Sequence, residues 1–240
     1  MSPSKIENHI NEELLDYKEM LHLLIERDRL RDEHGVSAGL YNGEYGPVYQ
    51  IFTKEFISLL VDWTEPIDGL VIEVMAGDGR LTKHLNKYLT RKIIATDNKS
   101  WKSIQSPDWV IEMDAIEAVK YYNPAAVLVC WEPYGSLVCT EIANKMKIPI
   151  MVIGAAQGGC TGDEELFEDI DYIELEDHNL CLGRTDYGFN RPVDDCMRGT
   201  HSTRISLFNW NEEWLIGEED KDWYRVKGYA GYHWDNEDDD

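Results

Sequence analysis

The stretch "VIEVMAGDGRLTKHL", Val71 to Leu85, decides the fold. An apolar run carries one acid, Glu73, then breaks into Ala-Gly-Asp-Gly before helix-forming residues resume. A short apolar run that ends in glycines reads as a strand covered on both faces. Gly77 and Gly79 allow a sharp turn and a close approach of backbone to whatever lies at the strand's end. A helix from Arg80 then presents free N–H groups and the positive end of its dipole at the same place.

Outward from this turn, strand-like and helix-like segments alternate. The first strand is "GLVIEVM" (69–75), followed by a helix over about 80–89; "RKIIATD" (91–97) and "DWVIEMD" (108–114) read as the second and third strands. "AIEAVKYY" (115–122) reads as a helix, "AAVLVCW" (125–131) as a fourth strand, 137–147 as a helix and "IPIMVIG" (148–154) as a fifth strand. Valine- and isoleucine-rich runs separated by helices predict a parallel sheet with helices on both faces. After Gly162 the alternation is expected to stop, and "DYIELED" (171–177) and "TRISLFN" (203–209) to pair as a closing hairpin.

Before the sheet, Ile6, Ile10, Leu14, Tyr17, Leu21 and Leu24 recur at helical spacing, predicting one long helix over 4–33. A glycine-rich connector, His34 to Pro47, follows, and Pro47 suits the first turn of a second helix to about Trp63. The expected organisation is a helical cap (1–66), an α/β domain (67–210) and an acidic, aromatic-rich tail (211–240).

The formal net charge of −23 over 240 residues repels phosphate backbones and makes nucleic acid a poor partner. It attracts a cationic small molecule or a basic peptide, although many of the acids simply solvate a surface. Cys130, Cys139, Cys160, Cys181 and Cys196 form no CxxC pair, which argues for reduced thiols in a cytosolic or nuclear compartment. No run approaches the ~20 apolar residues of a membrane helix. The opening "MSPSKIENHINEELL" is polar and acidic, unlike a secretory signal or a transit peptide.

A strand, Gly-x-Gly, a helix and a second strand ending in Asp97 suit a nucleotide cofactor, whose ribose hydroxyls a carboxylate can accept. A nicotinamide fold asks for a third glycine where Thr82 stands, and needs no acid in the first strand. Here Glu73 precedes the glycines and Asp114 ends the third strand. This pattern resembles the class I S-adenosylmethionine-dependent methyltransferases over about Gly69 to Asn209. The resemblance implies a Rossmann-like, seven-stranded, mostly parallel sheet whose antiparallel last strand lies near 203–209, and the N-terminal helices are expected to lie over the cofactor mouth. It implies S-adenosyl-L-methionine as cofactor, held at Glu73, Ala76, Gly77 and Gly79, at Asp97 and Asn98 by the ribose, and at Asp114 and Ala115 by the adenine. Met75 departs from the family, standing where its first glycine usually falls; a φ above zero there would cost about 1–2 kcal/mol.

Each acid also has a plainer reading: Glu73 as an ion-pair partner, Asp97 as cap of a helix near Lys99, Asp114 as cap of 115–122. The order of all three carries the argument.

In the family's fold the fourth strand's end faces the transferable methyl, and here that end is "CWEPYGS", Cys130 to Ser136. Amino methyltransferases acting on bases or amides often carry Asn/Asp-Pro-Pro-Tyr there. This chain keeps Pro133 and Tyr134 but has Trp131 in place of the amide or acid, which turns the reading away from nucleic-acid adenine. Glu132 and Tyr134 are candidate contacts for a nitrogen or oxygen nucleophile, and Trp131 is a candidate stacking surface. Tyr45 is a candidate lid residue, and the glycine cluster 154–167 offers Gln157. Cys160 has no histidine partner at a defining spacing, and His178 and His201 read as surface or packed residues. The alternatives are an NAD-dependent oxidoreductase, or an interaction protein that kept the fold and lost the cofactor. In the tail, Trp210, Trp214, Trp223 and Trp234 stand among eleven acids and three bases, so the tail is expected to strap the sheet edge to about Trp234.

Overall fold

Residues 14–20, 22–23, 41–43, 45–155, 161–175, 182–183, 203–214 and 223–226 are described by a computed structural model. Most of the expected helix over 4–33 lies outside them; within it, residues 17–20 and 22–23 are helical. This segment docks on the first complete helix. Tyr17 donates its N–H to Glu55 Oε2 (2.8 Å), Lys54 donates its own to the Leu15 carbonyl (2.9 Å), and Leu14 packs on the core beneath.

The helix expected from Pro47 to about Trp63 is present only from Lys54, and strands take the place of its first part. Tyr41–Gly43 (β1) and Gly46–Val48 (β2) pair as an antiparallel hairpin, and Gln50–Ile51 (β3) pairs with Leu182–Gly183. Gly43 and Gly46 face each other across the turn, so the "connector" glycines close a hairpin. Helix α1 begins instead at Lys54, where the Thr53 hydroxyl accepts the Phe56 N–H (3.2 Å) and caps the helix through Thr64. Phe56, Ile57, Leu60 and Trp63 recur at helical spacing and form its buried face.

The central sheet follows the expected segments closely. Its strands are Val71–Glu73 (β4), Ile94–Asp97 (β5), Ile111–Glu112 (β6), Ala126–Cys130 (β7), Ile150–Ala155 (β8) and Tyr172–Leu175 (β9). Leu182–Gly183 is β10, outside this sheet; Thr203–Phe208 (β11) and Trp223–Val226 (β12) return to it. The helices are Arg80–Leu85 (α2), Ala115–Tyr122 (α3), Val138–Thr140 (α4, continued as a π-helix over Glu141–Met146) and Glu165–Asp169 (α5). Helix α5 corrects the expectation that alternation stops after Gly162: the crossover from β8 to β9 still carries a helix.

The strand order is β12-β9-β11-β8-β7-β4-β5-β6. Strands β6, β5, β4, β7 and β8 pair in parallel, and β11 inserts antiparallel between β8 and β9. The molecule is thus an α/β protein with a mostly parallel sheet, in an order compatible with a Rossmann-like fold. The expected 171–177 and 203–209 segments do pair, as β9 and β11. An eighth strand, β12, comes from the tail and covers the outer edge of β9.

Alternate residues of each strand serve opposite faces. Val71, Ala126, Leu128, Met151 and Leu207 pack with Phe56, Leu60, Leu81 and Leu85 of α1 and α2. Ile72, Val127, Val129, Ile150 and Phe208 pack with Ala118, Val119, Ile142 and Phe167 on the other side. Trp210 is buried in the first of these cores and Trp214 packs against it. No helix among the described residues is long and apolar enough to cross a membrane.

Since β12 covers the free edge of β9, a chain cut before Gly217 leaves that edge unpaired. Its melting temperature is expected to fall by at least about 2–4 °C, the shift of roughly 1 kcal/mol in a chain of this size. An unchanged thermal transition would show that β12 adds no stability.

Candidate active site

From β4 the chain steps outward to β5 and β6, then returns to place β7 on β4's other side. The order therefore reverses between β4 and β7, and in such sheets a crevice opens at the strands' carboxyl ends. A cavity of about 610 Å³ lies there.

One wall is the turn between β4 and α2. Glu73 is 2% exposed, and its Oε2 accepts both the N–H (3.0 Å) and the hydroxyl (2.6 Å) of Thr82. Burial, opposed by these bonds, raises its pKa to about 8, so the carboxyl keeps its proton at neutral pH. The plainer reading of Glu73 as an ion-pair partner is replaced by this grip on the helix. Thr82, the position where a third glycine would belong, is buried in the same contact.

Gly77 (φ 57°) and Gly79 (φ 72°) both take left-handed backbone. A Cβ on Gly79 would fall 2.3 Å from Trp109 Cη2 and 2.8 Å from Val110 Cγ2. Gly79 is thus demanded by packing beneath the turn, while Ala76 and Gly77 line the cavity. Met75 has φ 52°, the left-handed conformation that costs a side chain energy; the residue lines the cavity and packs against the core on one face of the sheet.

Asp97 ends β5 with each oxygen engaged once: Oδ2 accepts the Gly77 N–H (2.8 Å) and Oδ1 the Lys99 N–H (2.6 Å). It caps no helix, because none begins near Lys99. Each oxygen retains a lone pair for a further donor. Asn98 lies beside it on the cavity wall. Asp114 does cap α3, its Oδ1 accepting from Ile116 (2.9 Å) and Glu117 (3.3 Å), and it lines the cavity together with Ala115.

The opposite wall comes from the loop after β7. Trp131 has φ 63°, its N–H donates to the Ile153 carbonyl (2.7 Å) and its indole N–H to Gln50 Oε1 (3.0 Å). Tyr134 stands at the rim, 76% exposed. Glu132 behaves differently. Its side chain is 2% exposed, with Oε1 accepting from the Ser136 hydroxyl (2.7 Å) and the Cys139 N–H (3.0 Å). Its Oε2 lies so near Gly162 that a Cβ there would be 2.6 Å away. The carboxyl is turned into the protein, and burial raises its pKa. Glu132 lines the cavity but turns its carboxyl toward Ser136, Cys139 and Gly162, where it shapes the loop.

Several cavity residues escaped the sequence reading. Tyr49, Gln50 and Phe52 reach the cavity because β2 and β3 replace the expected helix, and Trp101 and Ile104 reach it from the loop after β5. The hairpin rests on that loop: Gln105 donates its N–H to the Tyr45 carbonyl (2.6 Å), and a Cβ on Gly46 would fall 2.3 Å from the Ser103 oxygen. The segment with the candidate lid residue Tyr45 packs on this loop, and from it Tyr49 and Gln50, not Tyr45, line the cavity. Arg80 also lines the cavity; its Nε bonds Asp78 Oδ2 (2.6 Å), while Nη1 is buried with no partner. Gln157, Cys160, His178 and His201 lie outside the described residues.

No family model and no curated protein matches the chain.

Two measurements follow. Met75→Gly is expected to be more stable than Met75→Ala by about 1 kcal/mol, reversing the usual order, because only glycine takes φ 52° freely. Both variants delete the side chain, so the comparison isolates backbone strain from packing. Glu73 binds its proton more tightly folded than unfolded, so its contribution is favourable at low pH and is lost as pH rises from about 4.5 to 8. Thermal melts of Glu73→Gln should show a shallower stability loss over that window; a slope identical to the parent's would refute the assignment.

Proposed function

We propose that the protein transfers a methyl group from S-adenosyl-L-methionine to a nitrogen or oxygen nucleophile on a small molecule or basic peptide. The observation that carries this reading is Asp97, braced by the Gly77 and Lys99 N–H groups at the mouth of a sheet whose order reverses beside it. A carboxylate fixed in this way accepts two vicinal ribose hydroxyls. Asp114 and Ala115 lie one strand further out, where an adenine edge would reach, and Arg80, which lines the same cavity, carries the charge that suits the carboxylate of an amino-acid moiety. A volume of about 610 Å³ accommodates a nucleoside cofactor with room for a small acceptor group.

The dinucleotide alternative is disfavoured by Thr82. Where that fold brings helix and strand into close contact through glycine, this chain ties them through a hydroxyl and a buried acid. The scaffold alternative rested on Met75, and with Met75 at φ 52° the Gly77 N–H still reaches Asp97.

Bound in this cavity, the cofactor supplies a methyl on a positively charged sulfur, open to in-line displacement. The protein's part is positioning. Asp97 and Gly77 fix the nucleoside end, Arg80 the amino-acid end, and Trp131 and Tyr134 border the space left for the nucleophile. Glu132 holds the Trp131–Ser136 loop in shape through Ser136 and Cys139.

Calorimetric titration with S-adenosylhomocysteine tests the reading directly. Saturable binding is expected, weakened by roughly 1–3 kcal/mol in Asp97→Ala, the cost of leaving polar partners unmatched. Tight NADH binding without a response to S-adenosylhomocysteine would select the oxidoreductase instead.

A further inference from the structure

Three aromatic rings run contiguously along one wall of the cavity. Tyr49 sits between Trp101 (centroids 6.1 Å apart, planes at 66°) and Trp131 (5.9 Å, 36°). They come from three separate parts of the chain, the strand hairpin, the loop after β5 and the end of β7. Their meeting is a product of the fold and leaves no local signal in the sequence.

We propose that this row is the acceptor subsite, and that it recognises an alkylammonium group as the methyl-accepting nitrogen. The inference rests on the methyl-transfer reading above and names the substrate class for it.

Three observations converge. The indole N–H of Trp131 is spent on Gln50, which is itself buried, so Trp131 offers the cavity ring surface in place of a hydrogen-bond donor. The rings are inclined to one another. A planar heteroaromatic acceptor wants parallel faces to slot between, whereas inclined faces form a concave wall around a compact cation, whose charge is attracted to each ring's π-face. The charges nearby have the complementary sign. Asp78 is compensated by Arg80, and the buried Glu73 and Glu132 are drawn toward their neutral forms, which leaves Asp97 and Asp114 as the cavity's uncompensated acids. Beyond the cavity, the chain's net charge of −23 concentrates cations around its mouth.

The chemistry balances without a dedicated base. The ammonium sheds its proton to solvent at the open rim by Tyr134, and the neutral amine's lone pair attacks the methyl carbon. The carbon–sulfur bond breaks with its electron pair going to sulfur, which becomes a neutral thioether. The positive charge then resides on the methylated nitrogen, against the same aromatic wall.

The test uses the full chain and tetramethylammonium chloride as the probe, with tert-butanol as a neutral counterpart of similar shape, followed by saturation-transfer NMR. Saturable binding of the cation but not of the alcohol is expected. Tyr49→Leu should weaken it about fivefold or more, and Tyr49→Phe by less than about twofold, with S-adenosylhomocysteine affinity unchanged in both. Labelled-cofactor assays with n-butylamine and with a lysine-containing peptide then distinguish a free amine from a side chain; transfer to either supports the proposal. If S-adenosylhomocysteine binds and tetramethylammonium does not, the subsite is overturned while methyl transfer stands. If Tyr49→Leu weakens S-adenosylhomocysteine binding, the rings belong to the cofactor site, and the proposal is likewise overturned. Transfer to a planar base of RNA and to neither amine also overturns it. A parent protein that binds no S-adenosylhomocysteine removes methyl transfer itself, and the acceptor role with it.

Discussion

The grip of Glu73 on Thr82 is the constraint from which the rest of the site follows. A carboxyl buried at the end of β4 spends one oxygen on both donors of a residue in the first turns of α2. The helix start is thereby fixed against the strand end, and the intervening Ala-Gly-Asp-Gly has one path. That path turns the Gly77 N–H toward Asp97 and leaves its carbonyl for the Ser106 hydroxyl (2.6 Å). Strand, turn, helix and the loop after β5 are thus joined through a few polar bonds around a protonated acid. A buried carboxylate would be costly here, and holding the proton avoids most of that cost.

The sheet was legible because its signal is local. Runs such as "AAVLVC" and "IPIMVI" are apolar at every position, and a strand covered on both faces must be. Helix α3 could be read with equal ease, since Asp114 caps it and Asn123 ends it in left-handed backbone. The segment 47–53 was misread for a physical reason. Proline opens helices, but it also suits the edge of a hairpin, and only long-range pairing of Gln50 and Ile51 with residues 182–183 decides between them. That one error hid Tyr49, Gln50 and Phe52, and with them two of the cavity's five aromatic residues.

Roles were less legible than positions. Every acid singled out from the sequence lies at the cavity, yet what each does depends on partners that sequence spacing does not disclose. Glu132 has the residue type and location of a catalytic contact, but Ser136, Cys139 and Gly162 enclose it. Asp114 is both helix cap and cavity wall, so the plain and the functional readings hold together. Gly79 fits the glycine motif, but Trp109 and Val110 alone would demand it.

The two strained residues at the crevice bear on how the site is built. Met75 follows β4 and Trp131 follows β7, adjacent strands on either side of the reversal, and both take positive φ (52° and 63°) without being glycine. Each such conformation costs about 1–2 kcal/mol and persists only where surrounding bonds over-determine it. Those bonds are present: Val74 donates to the Leu128 carbonyl, Ala76 to that of Thr96, and Trp131 to that of Ile153. Both residues line the crevice, and Met75 also packs against the core beneath it. Glycine would relax the backbone at either position and leave that part of the wall bare. The strain is therefore the energetic cost of keeping side chains, in place of glycine, at the two strand ends that flank the reversal.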